Sequence, residues 1–157
     1  FISLAKHLDT TINISIEGGR KVNSYIRYPS NWDTILETYD KLDKHFDVSF
    51  ISTINSLNIG KFTQLKKDIG HRKWNQGSVI VNNRPYTLSA IPDDVKEIYL
   101  NDCFEFGMIG LINYLEDSVY DEKVMTELMQ HCKRRDTLRG TYLPDVFPEW
   151  KKYYEKT

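Results

Sequence analysis

The chain has 157 residues and a formal net charge of −1, from 21 Lys and Arg against 22 Asp and Glu. That length suits one domain with a real core and is short for two, and so even a balance gives no electrostatic reason to expect nucleic acid or an anionic membrane as partner. No apolar run approaches membrane-spanning length, and the two cysteines, Cys103 and Cys132, have no CxxC spacing, so the expectation is a reduced, cytoplasmic protein without a disulfide framework.

Taken in order, Thr11 to Glu17 alternates with period two. Ile12, Ile14 and Ile16 share one face, and Thr11, Asn13, Ser15 and Glu17 share the other. Gly18-Gly19 ends this strand, and a basic, aromatic loop is predicted to run to Pro29. A helix then starts with Ser30 or Asn31 as N-cap and carries Ile35, Leu36, Tyr39, Leu42 and Phe46 as its stripe. The β-rich run from Asp47 to Asn55 is the second strand. A second helix, on Phe62, Leu65 and Ile69, ends near Gly70, and a third strand is expected from Ser78 to Asn82. Strand, helix, strand, helix, strand is the pattern of βαβ units, so the three strands should be parallel. From Pro92 the pattern turns helical: one helix to Gly107, one from Met108 to Asp117, and one from Asp121 through Cys132. The tail from Arg134 is broken by Pro144 and Pro148 and closes on a short helix, Pro148 to Glu155. The expected layout is one domain over 1–157, with a βαβαβ part over 1–90 and a helical extension over 91–157.

Parallel sheets bind ligands beyond the carboxyl ends of their strands. Those ends here are Glu17, Asn55 and Asn82, with Ser15 and Thr53 one step below on the same faces. A parallel strand covered on both sides should read as nearly continuous apolar sequence. These strands instead have one apolar and one polar face, which suits solvent or a polar cavity such as the inside of an incomplete barrel. Agreement among three strands favours the cavity. The Gly18-Gly19 turn is either a plain strand-ending turn or an anion nest, and it is neither GxGxxG nor a phosphate loop. Arg27, between Tyr25-Ile26 and Tyr28-Pro29, is either packed by its stem or held as a carboxylate clamp.

Other features point less far. His7, His45, His71 and His131 lack the spacing of a metal set. Cys132 is read as an idle thiol. Lys133, Arg134, Arg135 and Arg139 read as a solvated helix end, with RNA binding as the weaker alternative, and nucleic acid is not expected as a partner.

The segments "SIEGGRKVNSYIRYPSNWDTILE" and "VSFISTINSLNI", with the later "LPDVFPEWKKYY", resemble the second half of radical S-adenosylmethionine proteins. The likeness is to the branch whose C-terminal region is called a twitch domain, and it runs from about Ile12 to the C-terminus. The resemblance implies the latter half of a partial (β/α)6 barrel followed by a helical C-terminal extension. It implies S-adenosylmethionine as cofactor, with Ser15 and Glu17 at the ribose and amino-acid moiety, Arg27 on the carboxylate and Asn55 approaching from the next strand. Glu17 departs from the family's Asp, and Gly19 is additional. The CxxxCxxC that holds the family's [4Fe–4S] cluster is absent, and the chain opens on Phe1. The leading expectation is therefore a fragment whose full-length parent carries the cluster, inactive alone and with an unknown substrate. The alternative is a stand-alone α/β binding or interaction module that takes an anionic small molecule and forms a homo-oligomer through its exposed sheet edge.

Overall fold

The computed structural model describes residues 10–157, with only the backbone described at 76–79. Strands β1 (Thr11–Ser15), β2 (Asp47–Ile54) and β3 (Trp74–Ile80) form one parallel sheet in the order β1-β2-β3. The mixed α/β class and the parallel arrangement are as the sequence predicts. Thr11 lies opposite Asp47 and Ser15 opposite Ile51. The β2–β3 register shifts between Ile51 and Thr53, whose partners are Asn75 and Val79. β3 thus begins at Trp74 and not at Ser78. Trp74 and Asn75 pair with Phe50 and Ile51, so pairing with a neighbouring strand draws in residues that the local pattern leaves outside it.

Between β1 and β2 lie two helices, α1 (Arg20–Ile26) and α2 (Trp32–Leu42). α1 occupies the stretch expected to be a loop. It is too short to show an amphipathic stripe, and its first amide is capped from far away: Arg20 N–H donates to Asp68 Oδ2 at 2.6 Å. α2 starts as predicted, with Asn31 as N-cap accepting from Thr34 N–H at 3.0 Å. α3 (Phe62–Ile69) connects β2 to β3.

These helices cover one face of the sheet. Ile16, Val48, Phe50 and Ile54 are buried there. The Tyr39 ring of α2 lies 4.7 Å from that of Phe50, and its hydroxyl donates to Val48 O and accepts from Lys73 N–H. Phe62 of α3 stacks on Trp74 at 5.3 Å. On the opposite face Thr11, Asn13, Ser15 and Asp47 are exposed, while Ser49, Ile51 and Thr53 are half-buried. Ser49 Oγ donates across that face to Asn13 Oδ1 at 2.8 Å. Among the described residues this face stays open.

The helical extension comprises α4 (Asp93–Glu105), α5 (Ile109–Asp117), α6 (Glu122–Arg139) and α7 (Lys151–Lys156). α6 outruns its predicted end at Cys132 and stops at Gly140, whose φ of 65° is left-handed. Two of its basic residues, Arg135 and Arg139, are not the solvated helix end that the sequence suggests. Arg135 Nη2 donates to the carbonyls of Tyr25 (3.2 Å) and Ile26 (2.8 Å), and Arg139 Nη1 donates to Tyr25 O at 3.2 Å. Two arginines thereby satisfy the last carbonyls of α1. Tyr99, Leu128, Leu143, Phe147 and Trp150 join the sheet-side residues in one continuous buried cluster.

Candidate functional site

A seam of buried polar groups ties the carboxyl ends of β1 and β2 to α1. Glu17, two residues past β1, is 7% exposed. Its N–H donates to Asn23 Oδ1 at 2.9 Å, and Asn23 Nδ2 donates in turn to Ser30 Oγ at 3.1 Å. Arg27 Nε donates to Glu17 Oε1 at 3.2 Å. Asn58 Nδ2 lies 2.9 Å from Glu17 O, 2.9 Å from Thr53 O and 3.3 Å from Glu17 Oε2. Asn58 Oδ1 accepts from Asn55 N–H, and Asn55 Oδ1 accepts from Leu57 N–H.

Local sequence explains how Glu17 comes to be held there. Gly18 has φ 152°, a region side chains rarely adopt, and an added Cβ would lie 2.5 Å from Val22 Cγ1. Gly19 passes close to the Asp68 carboxylate that caps α1. The turn does present an amide to an anion, but that anion is Asp68 of the chain itself. Arg20 makes a two-pronged ion pair with Asp33, at 3.0 and 2.6 Å, on the surface.

Burial pushes the Glu17 carboxyl above its ordinary value of 4.5, while the hydrogen bond and charge of Arg27 pull the other way. A raised folded-state value means that protonation of Glu17 favours the fold. That contribution is complete below 4.5 and disappears as pH rises through the raised value. Glu17→Gln should remove it. Between pH 7 and pH 5 the urea midpoint of the parent should rise relative to that of Glu17→Gln, and equal changes in both would contradict the burial of this carboxylate.

The structure brings Glu17 and Arg27 together and links Asn55, in the turn after β2, to Glu17 through Asn58, with the Asn55 side-chain oxygen held by that turn. Ser15 is exposed on the open face, one pleat below Glu17, and makes no side-chain bond to the seam among the described residues. Asn82 lies beyond β3 and lines a cleft with Thr87, Met108 and Tyr114. Sequence reasoning missed Asn23 and Asn58, which hold Glu17 from both sides. A polar residue inside α1 and another in the turn before α3 carry no local mark of burial.

Cys103 of α4 and Cys132 of α6 lie on different helices and are fully buried, and burial pushes both thiols up to about 12. No group of three or more His, Cys, Asp or Glu among the described residues is arranged to hold a metal ion, and His7 lies outside them. No helix among the described residues is long and apolar enough to cross a membrane. No protein-family model, curated protein or solved structure matches the chain.

Proposed function

We propose that this chain is the latter half of the partial (β/α)6 barrel of a radical S-adenosylmethionine protein of the twitch-domain kind. Glu17 and Arg27 form part of the S-adenosylmethionine site. The observation that carries this reading is the sheet's asymmetry. Parallel sheets are ordinarily covered on both faces, whereas among the described residues this one is helix-covered on one side and largely polar and open on the other. A barrel wall has that property, because its inner face looks onto a cavity. The Glu17–Arg27 pair, its carboxylate buried and its guanidinium exposed, stands at the carboxyl end of the sheet, where ligands of such barrels sit.

The residues fit the amino-acid and ribose parts of the cofactor. The Arg27 side chain is 43% exposed, and only its Nε is engaged by Glu17 among the described residues, which leaves both terminal nitrogens for a carboxylate. Glu17 accepts from an ammonium or a ribose hydroxyl, and Ser15 offers a hydroxyl on the open face. Asn55 lines the neighbouring strand end. S-adenosylmethionine supplies radical chemistry once an iron–sulfur cluster reduces its sulfonium. In this reading the cluster belongs to the full-length parent, and the residues here bind and orient the cofactor.

The test is a titration of S-adenosylmethionine followed by amide NMR. Saturable shifts around Ser15, Glu17 and Arg27 are expected at millimolar cofactor, and Arg27→Ala should weaken them about 10-fold or more, as loss of a charge-assisted pair would. Saturable binding that ignores Arg27, or no shift near Glu17, would sink the assignment.

A second reading rests on a different observation. β1 and β3 each have an unpaired side among the described residues, and open strand edges are usually covered or paired. A stand-alone interaction module that dimerises through such an edge, with an anionic ligand at Arg27, would be a tight dimer by solution mass and blind to S-adenosylmethionine.

A further inference from the structure

We propose that the cleft between the carboxyl end of β3 and the α4–α5 corner binds an uncharged small molecule with both apolar and hydrogen-bonding surface. The cleft has a volume of about 660 Å³. That is within the range of roughly 300–1,000 Å³ in which small-molecule sites fall. It opens where the chain leaves β3 through Val81 and Asn82, at the end of a parallel sheet where ligands bind. The proposal is independent of the cofactor reading, since it concerns a different strand end and a different ligand chemistry.

The lining decides the class of ligand. Ile80, Val81, Leu88, Met108 and Leu111 supply apolar walls, and among the described residues no Asp, Glu, Lys, Arg or His contributes to them. A charged group entering this cleft would lose water and gain no counter-ion, which is costly. S-adenosylmethionine, with its ammonium, sulfonium and carboxylate, is therefore the wrong occupant. Polar atoms make up nearly half of the lining surface, among them the Asn82 carboxamide, the Tyr114 hydroxyl and Thr87, whose Oγ1 pairs with Ser89 Oγ at 2.9 Å. They can orient hydrogen-bonding groups on a ligand whose remaining surface is apolar.

The mouth carries apolar surface that the fold does not use. Ile109 is 70% exposed and Tyr114 58% exposed, both on α5. Between them Gly110 leaves room, since an added Cβ would meet nothing within 4 Å. Its φ is not positive, so a side chain there is compatible with the helix.

The neutral fluorophore N-phenyl-1-naphthylamine serves as probe. The parent protein should bind it saturably with one site per chain, and Arg27→Ala should leave its affinity unchanged. Gly110→Phe, which fills the cleft from α5, should weaken binding at least 10-fold while retaining the parent's circular dichroism and solution mass. Tyr114→Asp changes an exposed position and keeps the test decisive should Gly110→Phe fail to fold; it should weaken binding several-fold. Absence of saturable binding by the parent, or full affinity in the variants that fold, overturns the proposal. So does a dimer in which the probe binds only after dissociation, because the cleft would then be an interface between copies.

Discussion

Asp136→Ala is expected to lower folding stability by about 3–5 kcal/mol, from two buried donors left without an acceptor at roughly 1–3 kcal/mol each plus the lost packing. Asp136 is buried on α6, and its two oxygens serve three donors. Oδ2 accepts from Leu143 N–H at 2.7 Å and Tyr154 OH at 2.8 Å, and Oδ1 accepts from Thr141 Oγ1 at 2.6 Å. Leu143 and Tyr154 are themselves buried, so water cannot replace the carboxylate for either. The effect reaches beyond the tail. Leu143, Phe147 and Trp150 belong to the same core cluster as the sheet-side residues, and they are brought there by the turn that Asp136 closes. Asp136→Asn keeps an acceptor but adds a donor facing other donors, and should fall about halfway. Urea denaturation followed by tryptophan fluorescence, which reports on buried Trp150, measures both. A loss below about 1 kcal/mol for the alanine variant would mean that the tail is held by packing alone.

Asp136 also shows why part of the fold was legible in the sequence and part was not. The alternation of Ile12, Ile14 and Ile16 and the β-rich run of β2 are local patterns, and both strands lie where those patterns put them. The N-cap at Asn31 is equally local. α1 was invisible because its termini are completed from elsewhere: Asp68 of α3 caps its start, and Arg135 and Arg139 of α6 take its final carbonyls. The same long-range use of Arg135 and Arg139 made a structural pair read as a solvated basic end. β3 was misplaced at its beginning because partners on β2, and not the residues' own preferences, extend it.

The candidate site divides in the same way. Glu17 could be picked out as a polar strand end and Arg27 as an arginine amid aromatics, and the family resemblance gave both a role. That the two would bond to each other depends on the cross-over of α1, which no spacing in the sequence conveys. The open polar face was legible as alternation, and its exposure is the property on which the barrel reading rests.

Asn58→Asp is the substitution that tests the seam itself, and it should cost about 3 kcal/mol or more at pH 7 through lost buried hydrogen bonds and like-charge repulsion. The replacement keeps an oxygen for Asn55 N–H. It removes the amide that serves Glu17 O, Thr53 O and Glu17 Oε2, and it sets a second carboxylate where that amide stood, 3.3 Å from Oε2. Glu17 already has a raised folded-state value, because burial disfavours its charge. A second buried carboxylate beside it makes the pair retain a proton to still higher pH, and the introduced carboxyl, when protonated, can donate where the Asn58 amide did. The folded variant then binds more protons than the unfolded chain above the ordinary carboxylate range, so its stability falls as pH rises through that window. The deficit relative to the parent should accordingly be largest near pH 8 and shrink by pH 5, as read from urea midpoints at each pH. Asn58→Ala removes the same donor without adding charge, so its deficit should vary less with pH than that of Asn58→Asp. If both variants lose the same stability at both pH values, the amide of Asn58 does not stand against the Glu17 carboxylate, and the seam does not hold Glu17 in this way.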